Sequence, residues 1–200
     1  MAISLQKGQK ISLEKEAGSR LSRVIMGLGW DTGGGAKRGG LLGSLFGGGG
    51  GGGEIDLDAS CILFDDAGRL ADAVWFKQLR SKDGSIQHTG DNLTGQGEGD
   101  DEQILVDLGR VPANVTSLVF TVNSFSGQSF DRVQRAFCRL LDGATQQEIA
   151  RYDLGCQGPH TALVMAKLYR HNQEWKMHAI GENARGRTFQ DLLPVIGEYL

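Results

Sequence analysis

Residues 61–76 read CILFDDAGRLADAVWF: two short apolar runs, 61–64 and 74–76, on either side of Asp66-Ala67-Gly68. Asp and Gly at such a break supply local hydrogen bonding and left-handed backbone, so the break reads as a turn between strands. The same grammar extends outward in both directions. Apolar or alternating runs recur at Ile11 and Leu13 and at residues 24–28, 104–106, 118–122, 137–141 and 149–154, with Asp83-Gly84 and Asp142-Gly143 as further turn signals. Many short runs at this spacing predict an all-β sandwich rather than alternating βαβ units. Residues 161–170 and 174–181 flank His171-Asn172-Gln173 as a hairpin. The expected core includes Ile62, Phe64, Val74, Phe76, Leu118, Phe120, Phe137 and Leu140. Helical signal is thin. Residues 130–137 could make one short turn, and within 188–199 Phe189, Leu192, Leu193 and Ile196 recur at helical spacing against the breaker Pro194.

A chain of 200 residues with 40% hydrophobic content can bury one sizeable core, and residues 1–200 are read as a single domain. A glycine-rich insertion at about 33–53 interrupts it. The unbroken glycine run at 47–53 cannot hold regular structure cheaply, so this stretch is expected to be a long mobile loop, with Leu41, Leu42, Leu45 and Phe46 as its apolar members. A net charge of -3 and a pI of about 5.8 give no global attraction to nucleic acid. No run is long and apolar enough to cross a membrane, and Met1-Ala2-Ile3-Ser4-Leu5 does not open a secretory signal. Cys61, Cys138 and Cys156 are odd in number and form no C-x-x-C pair, which argues against a disulfide framework or a thiolate zinc site. The reading is a reduced, cytoplasmic protein with Cys61 and Cys138 in the core and Cys156 exposed. Trp30, Trp75 and Trp175 are read as packing residues, and His160, His171 and His178 are too dispersed for a transition-metal site.

Chemistry concentrates in residues 83–102, DGSIQHTGDNLTGQGEGDDE. Asp91, Glu98, Asp100, Asp101 and Glu102 gather there between Gly90, Gly95, Gly97 and Gly99, with no Lys or Arg from Gly84 onward. Such a loop repels itself unless a cation sits within it. Carboxylate and amide oxygens on a glycine-kinked backbone suit Ca²⁺, which accepts about six to eight oxygens in irregular geometry. Asp56-Leu57-Asp58, upstream, is expected to complete the site. The spacing is not that of an EF-hand, and the charge is opposite to that of a phosphate cradle. The rival is a metal-dependent hydrolase acting on phosphoesters or nucleotides, because acid clusters also build two-metal sites. His88, Lys77, Arg80 and Lys82 are the nearby groups that could serve it, yet no nucleophile stands out, and His88 reads better as a histidine hydrogen-bonded to a loop carbonyl or ligand carboxylate.

Gly27-Leu28-Gly29-Trp30-Asp31, then residues 55–60 (IDLDAS), then residues 88–95 (HTGDNLTG) followed by 97–102 (GEGDDE), resemble the TerD family of tellurium-resistance and stress-response proteins. Val111-Pro112-Ala113, residues 149–152, 168–171 and 174–176 continue the resemblance over nearly the whole chain, and residues 43–47, 123–125 and 186–192 narrow it to one branch of the family. The resemblance implies a calcium-binding, non-enzymatic β-sandwich of the bacterial cytoplasm, with a few short helices. It would belong to a tellurite, phage and colicin resistance system and work with other proteins of that system, partly in membrane-associated complexes. It places metal ligands at Asp56, Asp58, Asp91, Asn92, Glu98, Asp100, Asp101 and Glu102, with Asp31 as a further candidate. Gln96 departs from the family's usual Glu, removing a charge from the site, and the glycine insertion is longer than in most members.

Overall fold

Two six-stranded sheets face one another in the computed structural model, which describes residues 2–31, 57–90, 99–133, 135–155, 157–172 and 174–200. The strands are β1 Ile3–Ser4, β2 Lys10–Ser12, β3 Arg23–Asp31, β4 Leu57–Asp65, β5 Leu70–Val74, β6 Ile86–His88, β7 Glu102–Asp107, β8 Val115–Ser124, β9 Arg135–Asp142, β10 Glu148–Leu154, β11 Ala162–His171 and β12 Glu174–Ala184. The first sheet runs β1-β10-β9-β3-β7-β6 and the second β2-β12-β11-β8-β4-β5. Every pairing is antiparallel except that of β1 with β10. The expected sandwich is present.

Residues that alternate inward make the core between the sheets: Met26 and Leu28 of β3, Ile104 and Val106 of β7, Cys138 and Leu140 of β9 meet Cys61, Leu63, Leu118, Phe120 and Leu168 from the second sheet. A second apolar layer lies on the outer face of the second sheet. There Ile62, Phe64, Val119, Val164 and Ile180 are covered by Phe189, Leu192 and Ile196 of helix α2, Phe189–Gly197. Ile62 and Phe64 therefore belong to this outer layer and not to the space between the sheets. It also explains why β4 and β8 are buried on both faces.

Several expectations are corrected. Phe137 is half-buried because it faces outward from the first sheet, where the Arg151 guanidinium lies 3.8 Å from its ring centre. Phe76 is half-buried in an edge-to-face cluster with Trp75 and Phe125. A 3₁₀ turn covers only Phe130–Arg132, and β9 begins at Arg135. Leu13, read as part of a strand, opens a short helix α1, Leu13–Ala17, which ends at Gly18 in left-handed conformation (φ 69°). Pro194 does not stop α2, whose apolar face is anchored in the outer layer. The hairpin forms as expected, with Asn172 taking the positive φ its turn needs (50°). The glycine-rich insertion lies outside the described residues, as does Cys156. No helix among the described residues is long and apolar enough to cross a membrane.

A candidate metal centre where two acidic segments meet

β3 and β7 run antiparallel with Leu28 opposite Glu102, so the acidic residues 100–102 arrive beside the Gly27-Leu28-Gly29-Trp30 segment. Asp101 fixes this junction twice. Its backbone N–H donates to the Leu28 carbonyl at 2.8 Å, and its Oδ2 accepts from the Trp30 N–H at 2.7 Å.

Glu102 does more than continue the strand. Its backbone pairs in the first sheet, while its carboxylate, in a residue only 2% exposed, crosses to the second sheet and accepts the Ala59 N–H at 2.7 Å. β5 reaches only as far along β4 as Cys61, so Ala59 lies past that pairing. Asp58, the preceding residue, is 5% exposed and stands opposite Asn123 of β8. The two acidic segments, 44 positions apart at Asp58 and Glu102, thus meet across the sandwich.

His88 completes the junction from β6. Its Nε2 lies 3.2 Å from Glu102 Oε2, and its Nδ1 accepts the Gly90 N–H at 3.1 Å. Since Nδ1 accepts, the proton of the neutral ring is assigned to Nε2, directed at the carboxylate. Both ring nitrogens are thereby engaged, as expected of a histidine that orients a carboxylate.

Asp100 takes a different course. It lies on the outer face of the first sheet, where Arg139 donates to it from Nε at 2.6 Å and from a terminal nitrogen at 3.1 Å, and Gln103 donates at 2.9 Å. The hydrogen bond to Asp100 raises the Arg139 guanidinium further above its ordinary range. Two glycines make room: a Cβ at Gly27 would sit 2.2 Å from Asp100 Oδ2, and one at Gly29 would sit 2.3 Å from the Phe137 ring. Arg139 is the participant that sequence reading missed. Its signal was the alternation of glycines in an otherwise apolar strand, which marks a close approach from the outer face.

Of the candidate ligands, Asp101 and Glu102 stand at this junction. Asp58 adjoins it through the Ala59 backbone, its own side chain alternating away from the inward-facing Leu57 and Ala59, and Asp100 is turned to Arg139. Asp31 ends β3 opposite Arg135. Asp56, Asp91, Asn92 and Glu98 lie outside the described residues, as does the Asp31 side chain. Among the described residues no group of three or more His, Cys, Asp or Glu side chains forms a metal site by itself. The donors at the junction are carboxylate oxygens, the chemistry that suits a hard cation. Both described cysteines, Cys61 and Cys138, are buried in the core, and burial pushes the Cys138 thiol up to about 12.

A TerD domain model matches residues 1–194. The chain belongs to the TerD family. Among TerD relatives, the tellurium resistance protein TerZ of Serratia marcescens is 52% identical over 190 residues, covering 95% of this chain and 94% of that protein. The stress response protein SCP2 of Bacillus subtilis is 43% identical, covering 96% of this chain and 98% of that protein. The tellurium resistance protein TerD of Serratia marcescens is 39% identical over 93% of each chain. In fold, the chain is similar to the crystal structure of a Streptomyces coelicolor homologue of telluride resistance protein TerD. The TM-score is 0.68 at 20% identity, over 89% of this chain and 98% of that one. The sandwich is thus a TerD-family sandwich, and the family is one of tellurium-resistance and stress-response proteins.

Proposed function

We propose that this TerD-family protein binds Ca²⁺ at the acidic junction and uses the bound ion to order a surface that other proteins of a tellurium-resistance system recognise. The supporting observation is the reach of Glu102 across the sandwich to the Ala59 N–H, which brings the backbone of the upstream acidic segment to the 101–102 pair. Asp58, Asp101 and Glu102 would hold the ion together with Asp56, Asp91, Asn92 and Glu98, and with Asp31 as a further oxygen donor. Asp100 serves the same site indirectly, as the anchor that Arg139 holds on the outer face. The ion would supply charge neutralisation between acidic segments that otherwise repel. The protein's own residues do the rest: Asp101 and Glu102 pin their segment to Trp30 and Ala59, and His88 orients the Glu102 carboxylate. The proposal makes it a non-enzymatic, cytoplasmic protein that can join membrane-associated complexes through its partners.

The test is a calcium titration that follows melting temperature and capture of co-encoded resistance proteins in parallel. Binding stabilises by RT ln(1 + [L]/Kd), about 2.7 kcal/mol at a hundredfold excess over Kd. Asp58→Ala is expected to remove most of the calcium-induced rise and to weaken partner capture, while the metal-free melt changes little. A full calcium shift in Asp58→Ala would separate the two acidic segments and end the proposal. Turnover of a phosphoester or nucleotide on addition of metal would instead favour the hydrolase reading.

A further inference from the structure

We propose a second ligand site at the opposite end of the first sheet, an anion pocket for a phosphate-bearing small molecule, built on Arg80 and Arg110. A hollow of about 270 Å³ opens there on the outer face of the sheet, between β3, β7 and the turn at Gly84. Asp107, on its wall, is at the other end of β7 from Glu102, about 17 Å along the strand. The pocket therefore shares no residue with the acidic junction.

Two guanidinium groups converge at its rim. A Cβ placed on Gly84 would stand 3.1 Å from Arg80 Nη2 and 3.3 Å from Arg110 Nη2, so both guanidinium groups come within reach of one point. Gly84 adopts φ +72°, and its missing side chain leaves that point open. Like charges held this close favour an anion beside them, and among the described residues neither guanidinium is ion-paired to a carboxylate. Asp107 faces Arg23, the third arginine of the hollow, at 3.5 Å. Asp83 Oδ1 accepts from the Ser81 hydroxyl and the Ser85 N–H, and Arg110 donates to the Asp83 carbonyl at 3.3 Å. Arg80 forms no ion pair among the described residues.

A further observation is independent of charge. Ser85 lines the hollow, is 3% exposed, and its hydroxyl has no hydrogen-bond partner among the described residues. A buried hydroxyl in that condition is a donor awaiting an acceptor. Paired planar guanidinium forks match the oxygens of a phosphate better than a lone ammonium does. The floor is apolar, formed by Ile25 and by Leu105, which is 37% exposed on the sheet face. Such a floor would take the organic part of a phosphorylated molecule, so a bare ion should bind more weakly than an organic phosphate.

The experiment titrates the full chain in calcium-free buffer with inorganic phosphate, phenyl phosphate and phenol, followed by backbone amide shifts at Gly84 and Ser85. Phenyl phosphate is expected to bind more tightly than inorganic phosphate, and phenol not at all. Arg80→Gln and Arg110→Gln, both at exposed positions, should each weaken phenyl phosphate by about tenfold, the scale of one charged hydrogen bond. Lys7→Gln, which removes a charge paired to Glu182 elsewhere on the surface, should leave binding unchanged. The site is refuted by undiminished affinity in an Arg80→Gln/Arg110→Gln double variant that melts like the parent. The absence of any shift at about 10 mM phenyl phosphate, beyond the weak millimolar range, refutes it equally.

Discussion

Glu102 is the residue on which the two sheets are tied at the acidic end. Its carboxylate satisfies the Ala59 N–H and faces the His88 ring, all within a region closed to water. Glu102→Ala leaves a buried donor unpaired, and it should lower unfolding free energy by about 1–3 kcal/mol in a denaturant titration. Gly27 is nearly as constrained from outside. Gly27→Ala would drive a methyl into Asp100, and the expected result is a lower melting temperature with loss of the Asp100–Arg139 pair, readable by crystallography. The buried thiols make a prediction about pH. Burial raises the Cys61 and Cys138 thiols above their unfolded value of about 8.5. Below that value both states hold the proton and stability is unaffected by these groups. As pH rises beyond it, only the unfolded chain ionises, so stability should fall steadily toward about 12. At pH 8, neither thiol should react with Ellman's reagent until denaturant is added.

At the scale of elements, helix α2 stands out because the sandwich does not close its own outer face. The helix covers Ile62, Phe64 and Val164 with Phe189, Leu192 and Ile196. Asp191 fixes its start by accepting the N–H groups of Arg187 and Thr188, and the Arg187 bond chiefly holds that carboxyl below its usual range. Lys167, buried and with its charge disfavoured by desolvation, donates to the Tyr199 carbonyl just past the helix. Leu192→Ala should cost about 2–5 kcal/mol by opening a cavity under the helix. Far-ultraviolet circular dichroism should show the strands retained at temperatures where this variant has lost α2, if the helix is a separately anchored layer. Residues 189–196 announced this helix by spacing alone, and Pro194 looked like an objection. Tertiary burial outweighs the one backbone hydrogen bond it removes.

For the molecule as a whole, local chemistry and long-range closure divide cleanly. Short apolar runs bounded by Asp-Gly turns determined an all-β sandwich, since side-chain alternation and turn residues act within a few positions. Acid clustering between glycines likewise marked residues 100–102, with the upstream Asp56-Leu57-Asp58 in the same chemical class, because charge is written in composition. Sequence could not show that Ile62 and Phe64 face a helix and not the opposite sheet, as both surfaces select the same apolar residues. Nor could it show that Asp100 belongs to Arg139 while Glu102 crosses to Ala59. Those two acids are two positions apart and would share a face if one strand ran through both. β7 starts only at Glu102, and the bend before it, with the close approach allowed by Gly27, sends Asp100 outward while Glu102 enters the core. The meeting of Arg80 with Arg110 over Gly84 was equally hidden, because it depends on how a turn and a strand end are folded back over one sheet face. Residue type is fixed by the chain itself, but which residues become neighbours across 30 or 40 positions is settled only when the sheets pair and pack.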